Sequence, residues 1–242
     1  MLIPAIGIFD LETTGVDPAT DRIVTAYVGV LDEDGNVIDG REWMIAPSGY
    51  VIPEGATAIH GISTEQALAE GRPFAEVIDE IAAALDALTV PVAGHNLSYD
   101  LTMLAHEMHR NGHPDPVGLI DALAFLDTFI LDKELDKWRK GKRTLSALAP
   151  LHNVQLTAEE AHGAAADAIA SGRIALSLTR HPQVRDLGPD ELRRRQAGWA
   201  REQRASFMDY RRSTGNPVEV DLNWPLYTSA LAFTVTPEVI LF

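Results

Sequence analysis

Five residues carry side chains suited to metal-assisted acid–base chemistry: Asp10, Glu12, Asp100, His162 and Asp167. Asp10 and Glu12 stand two apart in Ile8-Phe9-Asp10-Leu11-Glu12. On a β-strand that spacing puts both carboxylates on one side. The apolar neighbours imply a mostly buried strand, where two like charges are costly unless a cation neutralises them. Oxygen ligands in a chain without cysteine point to Mg²⁺ or Mn²⁺. Asp100 ends the run Gly94-His95-Asn96-Leu97-Ser98-Tyr99-Asp100. A strand, then polar capping residues, then a first helical turn would project this carboxylate over a strand end. His162 and Asp167 are five apart. On one helix they would lie about 140° from each other, so the workable arrangement keeps Asp167 in a helix and His162 on the loop before it. A loop histidine with a pKa of roughly 6.5 suits a general base. Taken singly, each has a plainer reading as a solvated strand end, a carboxylate at a helix dipole, or a surface histidine.

The elements that must hold these residues are legible from periodicity. Residues 5–11 form a β-rich apolar run that enters a turn at Thr13-Thr14-Gly15. Residues 23–31 and 37–45 read as two further strands around the hairpin turn Asp32-Glu33-Asp34-Gly35-Asn36. A loop with Pro47 and Pro53 follows, then a short helix from Ser63 and a helix over 74–88. Residues 90–93 read as a short buried strand and 98–111 as a helix. Residues 114–131 are ambiguous, with a strand ending near Leu126-Asp127. Helices are predicted over 145–151 and 163–178. Beyond His181-Pro182 the chain changes character. Leu192, Trp199, Gln203, Phe207 and Tyr210 share one helical stripe among arginines. Residues 217–242 follow, with Trp224-Pro225 and a final apolar strand-like run.

The combination of Asp-x-Glu on an early strand, an Asp about ninety residues later and His-x₄-Asp at a late helix resembles the DnaQ-like DEDDh 3′→5′ exonucleases. The motifs are Phe9-Asp10-Leu11-Glu12-Thr13-Thr14-Gly15, Gly94 to Asp100, and His162-Gly163-Ala164-Ala165-Ala166-Asp167-Ala168. Ile52-Pro53, Ala58-Ile59-His60-Gly61-Ile62 and Leu126-Asp127-Thr128 are further family-like pieces. Tyr99 stands where the family often has Phe. The resemblance covers roughly residues 5–180. It implies an α/β, ribonuclease H-like fold, a mixed five-stranded sheet flanked by helices with a helical C-terminal extension. It implies a domain over 1–182 and an extension over 183–242 with an arginine-rich amphipathic helix. Asp10, Glu12, Asp100 and Asp167 would hold two divalent cations, Mg or Mn, and His162 would deprotonate the attacking water. Thr13 and Thr14 would meet the nucleic-acid 3′ end, Val16 and Ile59 would flank the terminal base, His60 would form a pocket wall, and Asn96 would contact substrate.

Composition sets the remaining bounds. The 242 residues carry a net charge of −15, which taken alone argues against a nucleic-acid binder. The distribution is uneven. Residues 1–132 hold four basic residues, while twelve of the twenty lie in two islands, 137–143 and 193–212. Lys140, Lys142 and Arg143 are candidates for backbone contacts, and Trp138 for stacking or for packing under its loop. The absence of cysteine excludes thiolate catalysis and disulfides and is compatible with a cytoplasmic protein. No apolar run approaches the roughly 18 residues of a membrane helix. No Gly-x₄-Gly-Lys loop and no Ser-His-Asp or Cys-His set is present. The expected substrate is a 3′ end, preferably of single-stranded DNA, with a polymerase or repair complex as candidate partner. RNA-directed activity and a scaffold role are the alternatives. The oligomeric state is not specified by the sequence.

Overall fold

Apolar runs rich in β-branched residues build the first strands of a five-stranded sheet. The computed structural model describes residues 4–157 and 162–231. Strands β1 (Ala5–Thr13), β2 (Ile23–Asp32) and β3 (Val37–Met44) form an antiparallel meander. Strands β4 (Val92–Gly94) and β5 (Phe125–Asp127) add to it in parallel, giving the order β3-β2-β1-β4-β5. This is the mixed five-stranded ribonuclease H-like sheet expected from the motifs. Because β1, β4 and β5 run the same way, the chain leaves all three at one edge of the sheet, and that edge collects the chemistry.

The two faces of β1 bury different sets. Phe9 and Leu11 pack with helices α3 (Phe74–Asp86) and α4 (Ser98–Arg110) on one side. Ile6 and Ile8 pack on the other with α8 (Ala164–Leu178). Gly172 lets α8 lie this close. A Cβ there would stand 2.4 Å from Ile8 Cγ2 and 2.6 Å from Leu31 Cδ1, inside any tolerable contact. Asp10 and Glu12 continue the Ile6–Ile8 row, so the helix carrying Asp167 covers the face from which they project.

Several details differ from the sequence reading. The segment after Pro53 is helical, as α1 (Glu54–His60), with Gly61 closing it at φ 79°. It buries Ala56 alone and lacks a side-chain cap, so it shows no apolar period. Ser63 caps α2 (Thr64–Glu70) by accepting from the Gln66 amide at 3.1 Å, worth about 1 kcal/mol. The ambiguous stretch resolves into α5 (Pro116–Ala122), β5 and α6 (Thr128–Leu135). The helix over 145–151 is shorter, with α7 (Leu145–Leu148) passing into a 3₁₀ turn at Ala149–His152.

The extension helix, α9 (Pro189–Ser213), packs with its first half. Leu192, Gln196 and Ala200 are buried, while Phe207 and Tyr210 of the expected stripe are exposed. Gln196 serves the sheet directly: its amide donates to Phe125 O and accepts from Asp127 N, both at 2.8 Å. It thereby pairs backbone groups of the edge strand β5 that have no further strand beside them. Trp224, Leu226 and Leu231 join the α3–α4 core. Most of the apolar run after Leu231 lies outside the described residues. No helix among the described residues is long and apolar enough to cross a membrane.

Candidate active site

The edge where β1, β4 and β5 end brings three of the expected acids together. Asp10, Glu12 and Asp167 each offer a carboxylate oxygen, and these atoms lie within 4.8 Å of one another. A register shift between Glu12 and Thr13 ends the β1–β2 ladder just after the pair. Asp167 sits in the first turn of α8, where its Oδ1 is buried without a hydrogen-bond partner in the described residues. Asp100 arrives from the opposite side, in the first turn of α4, and is 6% exposed. The Leu11 amide, between Asp10 and Glu12, hydrogen-bonds its carboxylate.

The electrostatics mark the cluster as frustrated without a cation. Burial, then the charges of Asp100, Asp167 and Glu12, pushes Asp10 well above the usual carboxylate range. Burial, then Asp167, pushes Glu12 to about 8. Asp100 is likewise raised by burial, with Asp127 and Glu12 contributing, and burial raises Asp167. Converging hard-oxygen ligands, an unpartnered buried carboxylate oxygen and, among the described residues, no Lys or Arg paired with the trio fit divalent metal ions.

His162 lies where the spacing predicts, outside α8 on a turn with φ 71°. It is exposed, and its backbone amide donates to Asp167 Oδ2 at 3.3 Å. The left-handed residue lets the chain reverse immediately before the helix. His95, in the second motif, has a different environment. Burial pushes it down to about 4, and its Nδ1 pairs with Thr128 Oγ1 at 2.9 Å. It is a neutral group held by Thr128, whereas His162 is exposed.

The expected substrate residues separate into two groups. Thr13 Oγ1, Tyr99 Oη and Gly15 O form a triangle, with Thr13 Oγ1 2.8 Å from Gly15 O and 2.7 Å from Tyr99 Oη, and the two hydroxyl protons serve two of its three sides. Thr14 Oγ1 donates to Asp21 Oδ1 at 3.0 Å and accepts from Arg22 N at 2.9 Å. Both hydroxyls therefore lock the turn. Val16 and Ile59 present apolar side chains to solvent, 89% and 59% exposed. His60 Nδ1 accepts from the Ile62 amide at 3.1 Å, and its Nε2 is buried without a partner in the described residues. Asn96 is exposed in the left-handed region, φ 62°, with its amide donating to Asp127 Oδ1 at 3.0 Å.

In the basic island, Arg143 is already committed. Arg139 and Arg143 each reach Asp132 Oδ2 at 2.5 Å, and Arg143 is 11% exposed at its side chain. Lys137, Trp138, Lys140 and Lys142 are exposed, and Lys137 Nζ lies 3.8 Å from Glu134 Oε2. Sequence reasoning missed Asp132 and also Glu107. The Glu107 side chain is 1% exposed, and it accepts from Arg22 Nε at 2.7 Å and from the Ile23 amide at 3.2 Å. It ties the end of the Thr14 turn to α4 across 85 residues of sequence, a separation that leaves no local signal.

The exonuclease family RNase_T matches residues 8–175, a span that contains all five catalytic candidates. The chain belongs to this family. Membership agrees with the DnaQ-like motifs. Among curated relatives, a PolC-type DNA polymerase III of Lacticaseibacillus paracasei is 31% identical over 173 residues, 72% of this chain and 11% of that protein. The 3′-5′ exonuclease DinG of Bacillus subtilis is 28% identical over 171 residues, 71% of this chain and 17% of that protein. The chain thus spans a small fraction of these relatives. Among solved structures, a zinc-bound complex of E. coli exonuclease I with single-stranded DNA superposes with a TM-score of 0.65 at 22% identity, covering 76% of this chain and 42% of that one. Exonuclease I of Methylocaldum szegediense gives 0.62 at 23%, covering 74% and 41%. At these identities the structural likeness speaks to the fold.

Proposed function

We propose that this protein is a metal-dependent 3′→5′ exonuclease that removes nucleoside 5′-monophosphates from single-stranded DNA. The observation that carries the reading is the half-buried Asp10–Glu12–Asp167 cluster, with Asp100 beside it and His162 on the adjoining turn. The four carboxylates would hold two Mg or Mn ions, which supply charge stabilisation for the attacking and leaving oxygens of an in-line displacement. His162 takes the proton from the attacking water at an imidazole nitrogen, and its exposed turn allows it to release that proton to solvent. The backbone of the Thr13–Gly15 turn, held rigid by Tyr99, receives the terminal nucleotide. Val16 and Ile59 flank its base, His60 walls the pocket, and Asn96 faces the next nucleotide. Lys140 and Lys142 attract the phosphate backbone, while Arg143 braces their loop through Asp132.

DNA is favoured over RNA by the relatives, which are a polymerase and DinG. The same names make a polymerase or repair assembly the partner class to test. Residues 1–182 are proposed as the catalytic domain and 183–242 as its extension. The test is a 5′-labelled oligonucleotide, DNA or RNA, incubated with Mg²⁺, Mn²⁺ or chelator beside Asp10→Ala. A metal-dependent ladder shortening from the 3′ end, absent in the variant, supports the reading. No ladder on either polymer from folded, metal-binding protein would overturn it in favour of a scaffold role.

A further inference from the structure

Beside the proposed active site, α6, α9 and residues 220–230 enclose a cavity of about 470 Å³. Much of its wall comes from residues beyond 175, outside the span that matches the exonuclease family. Asn96 stands in its lining. The α4 helix borders it: Arg204 Nη2 donates to Ser98 Oγ at 2.8 Å, and the Tyr227 amide donates to Thr102 Oγ1 at 3.0 Å. These two α4 residues share one face of the helix, and the charge of Asp100 is felt at the Tyr227 hydroxyl.

The lining pairs cations with rings. Arg204 Cζ lies 5.0 Å from the centre of the Tyr227 ring, and Lys133 Nζ lies 5.5 Å from that of Phe129. Phe207 faces the same space and is 43% exposed. Arg204 donates to the carbonyls of Asp221 and Asn223 and to the Ser98 hydroxyl, groups that leave its charge uncompensated. Burial pushes the Lys133 ammonium down, and the Arg143 charge adds to this. The Asp221 carboxylate is occupied by the Asn223 and Ser229 amides at 2.8 and 2.6 Å. Lys133 and Arg204 set two cations against the one Asp221 carboxylate of the lining, and the half-buried Lys133 ammonium carries a desolvation cost. An anion would offset that cost.

We propose that this cavity is a second subsite for single-stranded DNA, seating a base against Phe207 and Tyr227 and a phosphate against Lys133 and Arg204, upstream of the 3′ nucleotide. The proposal rests on the exonuclease reading and adds to it a grip supplied by the extension. Aromatic rings with adjacent cations suit an unpaired strand, because every base offers a π-face there, whereas a duplex keeps its bases stacked inside. The same reasoning accounts for Phe207, an apolar side chain on α9 that is not used for packing on the core.

The test uses the full chain and fluorescein-labelled oligothymidylate. Anisotropy in chelator reads binding without cleavage, and hydrolysis with Mg²⁺ is followed in parallel. Phe207→Ala and Phe207→Leu should each weaken binding of a dodecamer roughly 5- to 100-fold, the range for losing one stacked base. Phe207→Trp should retain it. Lys133→Gln should weaken binding and make its salt dependence shallower by about 0.7 in log–log slope. In hydrolysis, the kcat/KM advantage of a dodecamer over a dinucleotide should shrink by a similar factor in the Phe207→Ala protein. Dodecamer binding unchanged by Phe207→Ala, or lost equally in Phe207→Trp, would overturn the subsite while leaving the exonuclease reading intact. Binding changes as predicted from a wild-type protein that hydrolyses nothing would instead sink the exonuclease reading.

Discussion

Replacing Glu12 by glutamine should make the metal-free protein more stable at neutral pH. Burial, then the Asp167 charge, pushes Glu12 from an ordinary value of 4.5 to about 8. The folded state therefore binds the proton more tightly than the unfolded chain. Its contribution to stability is fully present below about pH 4.5 and is lost as the pH rises through about 8. At about 1.36 kcal/mol per pH unit, the loss is about 3 kcal/mol at pH 7 and about 5 kcal/mol once Glu12 is fully ionised. These are upper values, because Asp10 and Asp167 compete for the same protons. Glutamine keeps the shape and does not ionise. For a domain of this size, about 2–4 °C of Tm accompanies each kcal/mol. The variant should thus melt up to roughly 6–12 °C above wild type at pH 7 in chelator, with the two curves converging near pH 4. The assay is thermal melting from pH 4 to 9 in EDTA, repeated with Mg²⁺ and Mn²⁺. Added metal should stabilise wild type far more than the variant. A variant no more stable than wild type at pH 7, and equally responsive to metal, would refute the picture of mutually repelling buried acids relieved by a cation.

Three further outcomes follow from the site and its supports. His162→Ala should lower single-turnover cleavage by about 10²–10⁴-fold with the fold intact; a change of less than threefold would mean the water loses its proton by another route. Gly172→Ala places a methyl 2.4 Å from Ile8 Cγ2 and should cost about 1–3 kcal/mol in urea unfolding. A neutral result there would show that α8 is not held against β1 as described. Neutralising Lys140 and Lys142 together should reduce the salt slope of single-strand binding by about 1.4, or 0.7 per contact. An unchanged slope would assign both lysines to a solvated face.

The catalytic constellation was legible in the sequence because local rules place it. A two-residue spacing on a strand fixes Asp10 and Glu12 to one side, and a five-residue spacing fixes Asp167 in α8 with His162 outside it. The first two strands were readable from their apolar, β-branched runs, and the third from the Asp32–Asn36 turn that precedes it. The short strands β4 and β5 were read near their places, but α1, with one buried residue, and α5, with two, were not. Their conformations come from neighbours that lie far away along the chain.

By itself, then, the sequence singled out Asp10, Glu12, Asp100, Asp167 and His162 as candidates, and the structure brings Asp10, Glu12 and Asp167 within reach of one ion. The tertiary structure decided what each remaining polar group is for. The hydroxyls of Thr13 and Thr14 have no partner legible in the sequence, and the fold supplies Tyr99, Asp21 and Arg22. Arg143 looks like a free cation until the buried Asp132 binds it. Phe207 and Leu192 fall on one stripe, yet one lines an open cavity and the other is core. The physical reason is the same in each case. A hydrogen bond, an ion pair or a burial depends on which surfaces meet, and partners such as Gln196 and β5 or Glu107 and Arg22 are brought together only when the sheet and its helices close around one core.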